Sequence, residues 1–149
     1  MIDQLEAPAV QAAQLRVMLV DDEDDYHLIT RMMLKKAGFT GTFTSFIDPA
    51  EALLFLKEAD QAPDLLLVDI NMPATDGFQF LAECAAGRLI ACDDATTVVM
   101  CSSSNRPVDM ERASRTNCIR EYIEKPLTME QFNRIAHEHA TRIQAKGQA

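Results

Sequence analysis

The run Asp64-Leu65-Leu66-Leu67-Val68 (DLLLV) is aliphatic at every position after the first. Successive side chains of a strand point to opposite faces, so such a run reads as a strand buried on both faces, as in a parallel sheet. Similar short runs recur on either side of it. Toward the N-terminus, Arg16 to Val20 (RVMLV) and Thr42 to Phe46 read as strands. Between them, Asp24 to Ala37 reads as a helix that buries Ile29, Met32, Met33 and Ala37 and is closed by Gly38. Asp48-Pro49, an N-cap followed by a first-turn proline, opens a second helix that runs to about Ala59.

Toward the C-terminus, Asp76-Gly77 opens a helix lined by Phe78, Leu81, Ala82 and Ala85. Thr97 to Cys101 is a fourth strand, Arg106 to Thr116 a short polar helix and Ile119 to Ile123 a fifth strand. Thr128 caps the last helix, which places Phe132, Ile135, Ala136, His139 and Ile143 on one face. Strand–helix units repeated five times predict an α/β fold, a doubly wound parallel five-stranded sheet. Residues 1–14 and 146–149 are expected to be tails around one domain over 15–145.

The 149 residues carry a formal net charge of -9, which argues against a nucleic-acid partner. No apolar run is long enough to span a membrane. Asp3 and Glu6 stand where a signal peptide would be basic, so the expected location is the cytoplasm. Cys84, Cys92, Cys101 and Cys118 form no C-x-x-C pair and are expected to be reduced thiols. His137 and His139, two apart on a helix, do not face each other and read as a surface and a core-edge histidine rather than a metal pair.

Ligands of doubly wound sheets bind at the carboxyl ends of the strands. Asp21, Asp22 and Glu23 follow the first strand, Asp69 the third, Ser102 to Ser104 the fourth and Lys125-Pro126 the fifth. Taken singly these are ordinary residues: Asp24 or Asp25 reads as a helix N-cap, Lys125 as a surface lysine and Ser102 to Asn105 as a polar loop. As an ordered set they make one site. Clustered carboxylates repel, which raises a pKa unless a hard cation such as Mg²⁺ joins them. Such a cation with Lys125 would neutralise a phosphoryl group in transfer, and an aspartate can be its nucleophile. Asp69, at the end of the most buried strand, fits that role, with the Ser102 hydroxyl as a donor to a phosphoryl oxygen.

VMLVDDED (Val17 to Asp24), PDLLLVDINMPATDGF (Pro63 to Phe78), VVMCSSS (Val98 to Ser104) and YIEKP (Tyr122 to Pro126) together resemble the motifs of the response-regulator receiver family over about residues 15 to 145. The second, D-x-x-M-P-x-x-D-G in the family, is the most specific. The resemblance implies a flavodoxin-like receiver fold with Asp69 as phosphoacceptor. It implies Mg²⁺ held by the side chains of Asp22 and Asp69, the main-chain carbonyl of Asn71 and, through water, Asp21. It also implies Lys125 as the phosphate partner, Ser102 as the switch hydroxyl, Tyr122 as the aromatic that changes rotamer, and a cis peptide before Pro126. Serine stands where threonine is commoner, and Ser103 is the alternative hydroxyl. The Ser102–Lys125 interval is about one residue long for the family, which suggests an irregular fourth helix, and Ala86 to Ala95 suggests a long loop.

The implied function is that of a stand-alone response regulator, since no residues remain for an output domain. It would be phosphorylated by a histidine kinase or phosphotransfer protein and would signal through protein contacts or onward phosphotransfer, as a monomer or weak homodimer. Self-dephosphorylation would be its only turnover, so it is not expected to be an enzyme. The alternative within the family is an interaction module that works unphosphorylated. A haloacid-dehalogenase-type phosphatase would need an acid where Asn71 stands. A flavin binder would meet a repelling acidic cluster, with no Trp and only two Tyr to stack on the ring.

Overall fold

A computed structural model describes residues 14–72, 75–90, 95–103 and 106–148. The elements run β1 (Arg16–Val20), α1 (Asp24–Lys36), β2 (Thr42–Phe46), α2 (Pro49–Glu58), β3 (Leu65–Asp69), α3 (Gly77–Ala86), β4 (Thr97–Ser102), α4 (Pro107–Ser114), β5 (Ile119–Glu124) and α5 (Met129–Gln148). The strands form one sheet in the order β2-β1-β3-β4-β5, every neighbouring pair parallel. The chain leaves β1 for one edge and returns to β3 on its other side. The switch point therefore lies between β1 and β3, where Val20 pairs with Val68, Asp21 follows β1 and Asp69 closes β3.

β3 is buried at every position, as its aliphatic run requires. Leu66 and Val68 join Met18, Val20, Val98 and Met100 against α2, α3 and α4. Leu65 and Leu67 join Val17, Leu19, Val99 and Cys101 against α1 and α5. β5 carries a register shift opposite Val98 and Val99, so Ile119 and Glu121 pair with successive residues of β4. The irregularity expected in α4 lies in this strand instead, and α4 is an eight-residue helix, shorter than Arg106 to Thr116.

The helix ends follow their capping chemistry. Asp48 accepts from the Ala50 amide at 2.9 Å and Asp76 from the Gln79 amide at 2.7 Å. Thr128 and Gln131 bond reciprocally, side chain to amide, at 3.1 and 2.9 Å. Gly38 follows α1 with φ +81°, its amide bonded to the Lys35 carbonyl.

Several expected faces are different. In α1 the inward residues are Tyr26, His27, Thr30 and Leu34, while Ile29 and Met32 are 49% and 52% exposed. Met33 and Ala37 lie at the core margin. Two of the inward polar groups are paired there: His27 Nε2 lies 2.5 Å from the Asp21 carbonyl, and the Tyr26 hydroxyl accepts from the Leu127 amide. In α3, Phe80 and Cys84 are buried, whereas Ala82 and Ala85 are exposed. In α5, Phe132, Ile135, Ala136 and His139 are buried as expected, but Ile143 is 40% exposed. His139 Nδ1 bonds to the Thr97 hydroxyl at 2.8 Å, and His137 is exposed. Neither Asp24 nor Asp25 is the N-cap of α1; Glu23 is, and both aspartates lie in the first turn, where the helix dipole favours them.

Cys84 and Cys101 are buried free thiols, each pushed up to about 12 chiefly by burial. Cys118, by contrast, is disulfide-bonded, which corrects the expectation of reduced thiols; Cys92 lies outside the described residues.

Gly77 fixes the geometry behind β3. Its amide bonds to the Ile70 carbonyl at 2.8 Å, and a Cβ there would lie 2.3 Å from the main-chain oxygen of Asp69. Gly77→Ala is expected to force that backbone apart and to cost about 1–3 kcal/mol, the usual penalty of overpacking, read as a lower urea midpoint.

Candidate functional site

At the switch point Asp21 is fully buried and Asp69 is 4% exposed. The ammonium of Lys125 lies 2.6 Å from Asp21 Oδ2, 2.9 Å from Glu23 Oε1 and 3.5 Å from Asp69 Oδ1. It also sits over the Tyr26 ring, 4.5 Å from the centroid. Lys125 follows β5 directly, its amide bonds to the Ser102 carbonyl at 2.8 Å, and its peptide to Pro126 is cis, as the resemblance implies. Thus the ends of β1, β3, β4 and β5 and the start of α1 all meet at one cation.

Burial pushes the Asp69 carboxyl up to about 7, with Asp21 and Asp22 adding to the rise and Lys125 opposing it. Burial alone would lower Lys125, but its bonds to Asp21 and Glu23 outweigh that and raise it. Ligand oxygens of Asp21, Glu23 and Asp69 lie within 4.8 Å of one another. Three carboxylates in that space are a hard-oxygen donor set that suits Mg²⁺.

The sequence-predicted residues fall as follows. Asp21, Asp69 and Lys125 are in direct contact. Asp22 is half-buried and outside the three-carboxylate group, although its charge is felt by Asp69. Asn71 is exposed in the loop after β3. Ser102 is fully buried at the end of β4, whereas Ser103 is exposed; Ser104 lies outside the described residues. Tyr122, on β5, shares a side-chain hydrogen bond with Ser102. Burial raises its phenol, and that bond opposes the rise.

Glu23 is the residue that sequence reasoning passed over. The signal was its position: it is the N-cap of α1, yet its side chain makes no capping bond, and glutamate is not among the favoured N-cap residues.

Such a pocket, two buried acids and a lysine at the switch point of a doubly wound sheet, defines an α/β domain built to handle a hard cation and an anionic group. A family model described as response regulator receiver domain matches residues 17–137, and the chain belongs to that family. Protein PilG of Pseudomonas aeruginosa is 32% identical over 122 residues, covering 82% of this chain and 84% of that protein. Two-component response regulator ORR41 of Oryza sativa subsp. japonica is 30% identical over 121 residues, 81% of this chain and 91% of that one. Two-component response regulator ARR11 of Arabidopsis thaliana is 29% identical, but the chain spans only 23% of its length. The crystal structure of a two-component response regulator from Cytophaga hutchinsonii superposes with a TM-score of 0.78 over 86% of this chain and 98% of that one, and at 23% identity it speaks for the fold.

Receiver domains are signalling phosphoacceptors of two-component systems rather than classical enzymes. They bind Mg²⁺ in an acidic pocket and work with histidine kinases or phosphotransfer proteins. Among the described residues, no helix is long and apolar enough to cross a membrane.

An acid whose folded pKa is raised holds its proton more tightly when folded. That contribution is present in full below the ordinary value of 3.8 and is lost as pH rises through about 7. Asp69→Asn is therefore expected to be more stable than the wild type above pH 7 without Mg²⁺, by about 1–3 kcal/mol. The gap should close toward pH 4, as read by urea denaturation across pH. Lys125 keeps Asp21 and Glu23 as partners in the variant, so no buried cation is stranded.

Proposed function

We propose that this chain is a single-domain response regulator that accepts a phosphoryl group on Asp69 from the phosphohistidine of a histidine kinase or phosphotransfer protein. The observation that carries this reading is the Lys125 ammonium shared between Asp21 and Asp69 at the switch point. An Asp69 carboxylate oxygen bonds to phosphorus as the phosphorus–nitrogen bond of the donor breaks, and the donor imidazole takes a proton. The side chains of Asp22 and Asp69, the main-chain carbonyl of Asn71 and, through water, Asp21 would hold Mg²⁺, which supplies charge neutralisation for the transferred group. Lys125 pairs with the phosphoryl oxygens. Burial of Ser102 against exposure of Ser103 supports Ser102 as the hydroxyl that turns toward them.

Turning Ser102 breaks its bond to Tyr122 and frees the phenol to move inward. The outward result would be read on α4, β5 and α5. Val108 and Met110, 65% and 47% exposed on α4, give that face apolar contacts for a protein partner. The receiver unit is proposed to span residues 15–145, to act in the cytoplasm as a monomer or weak homodimer, and to pass its signal by protein contacts or onward phosphotransfer.

Incubation with Mg²⁺ and acetyl phosphate, followed by intact mass, is expected to add one phosphoryl group to the wild type and none to Asp69→Asn. The adduct should be labile to hydroxylamine. A wild type that binds Mg²⁺ yet gains no mass from acetyl phosphate or from a phosphohistidine donor would favour a module that works unphosphorylated.

A further inference from the structure

Lys125 has three N–H donors. In the resting site its two short contacts go to Asp21, at 2.6 Å, and Glu23, at 2.9 Å, while the one to Asp69 is the longest at 3.5 Å. The two close partners are held differently. Asp21 is fully buried, and its Oδ1 accepts from the Glu23 amide at 2.8 Å, so it cannot leave. The Glu23 side chain is 60% exposed and makes no capping bond to α1. Its placement over Lys125 is therefore not explained by the helix it begins.

We propose that Glu23 is a positioning residue that gates the phosphoacceptor site: its carboxylate occupies Lys125 in the resting state and must be displaced by the incoming phosphoryl group. The inference rests on the reading of Asp69 as the acceptor. A phosphorylated Asp69 would draw the ammonium to itself, and Glu23 is the partner free to yield, because water can solvate it as it swings out. Until then Glu23 both holds the lysine and sets a negative charge at the mouth through which an anionic donor must come.

The test compares phosphorylation of the wild type, Glu23→Gln, Glu23→Asp and Asp25→Asn by acetyl phosphate with Mg²⁺, followed by intact mass. Transfer forms the phosphorus–oxygen bond to Asp69 and releases acetate, so no further reactant is needed. Glu23→Gln should speed transfer by about two- to five-fold, the scale of an exposed charge pair. The gain should shrink between about 0.01 M and 1 M salt, as screening of an exposed charge demands. Glu23→Asp, which keeps the charge, should stay nearer the wild type than Glu23→Gln. Asp25→Asn makes the same charge change on an exposed first-turn residue away from Lys125 and should leave the rate unaltered.

Rates are compared at Mg²⁺ concentrations that calorimetry shows to saturate each variant, because Glu23 is also one of the three clustered carboxylates. An unchanged or slower Glu23→Gln at saturating Mg²⁺, or an equal gain in Asp25→Asn, would each overturn the gate. An active wild type with such a result sinks the gate alone. A wild type that Mg²⁺ and donor leave as inert as Asp69→Asn sinks the reading of Asp69 and the gate with it.

Discussion

Asp21 and Asp69 end neighbouring strands and are both buried, so their charges are brought together where water cannot separate them. The Lys125 ammonium, in contact with both, is what makes that arrangement tolerable. Removing that lysine would leave the buried acids uncompensated, typically at a cost of about 3–5 kcal/mol. The rest of the site is arranged around holding this cation. β5 delivers it, the Ser102 carbonyl fixes its amide, and the Tyr26 ring lies beneath it. Even so, Asp69 keeps a pKa near 7, so the pocket is left short of positive charge. Such a deficit suits the acidic, Mg²⁺-binding pocket of receiver domains.

The platform beneath the site has to be rigid for this balance to hold. β3 supplies side chains to both core layers and is covered by α2, α3 and α4 on one side and by α1 and α5 on the other. Close packing continues to the rim, where α3 begins directly against the Asp69 carbonyl. The Asp76-Gly77 pair therefore has two physical duties. Asp76 caps the helix, and Gly77 lets its first turn approach the backbone of the strand that carries Asp69. A motif read as family signature becomes a statement about how near two backbones must come.

What was legible in the sequence follows from the same physics. The strands were readable because an all-aliphatic run has few other fates, and their ends named the site because topology gathers strand ends. Helix faces were less readable. α1 has two apolar stripes, and periodicity cannot say that Ile29 and Met32 face outward while Tyr26, His27 and Thr30, with polar groups to satisfy, face in. In α3 the small Ala82 and Ala85 gave no strong preference, and Phe80 won the core through its larger area. Glu23 was hidden in a run of acids, since its meaning depends on a lysine 102 positions away. The disulfide at Cys118 was equally invisible, because C-x-x-C spacing tests local pairing and not what tertiary folding brings together.

On the proposed reading, the energy scale of the switch can be argued from one hydroxyl. Ser102 bonds to Tyr122, a neutral pair of side chains between the buried site and the outer face of β5. A neutral hydrogen bond contributes about 0.5–1.5 kcal/mol net, and one to a charged group about 1.5–3 kcal/mol. A phosphoryl group on Asp69 would therefore outbid Tyr122 for the hydroxyl by roughly 1 kcal/mol, near a five-fold shift in a two-state population. Lys125 adds to that bias once it moves from a weak contact with Asp69 at 3.5 Å toward a doubly charged group. Neither exchange alone makes a decisive switch. Both are triggered by the same group, so their free energies sum, and that sum is what a partner resting on Val108 and Met110 would sense.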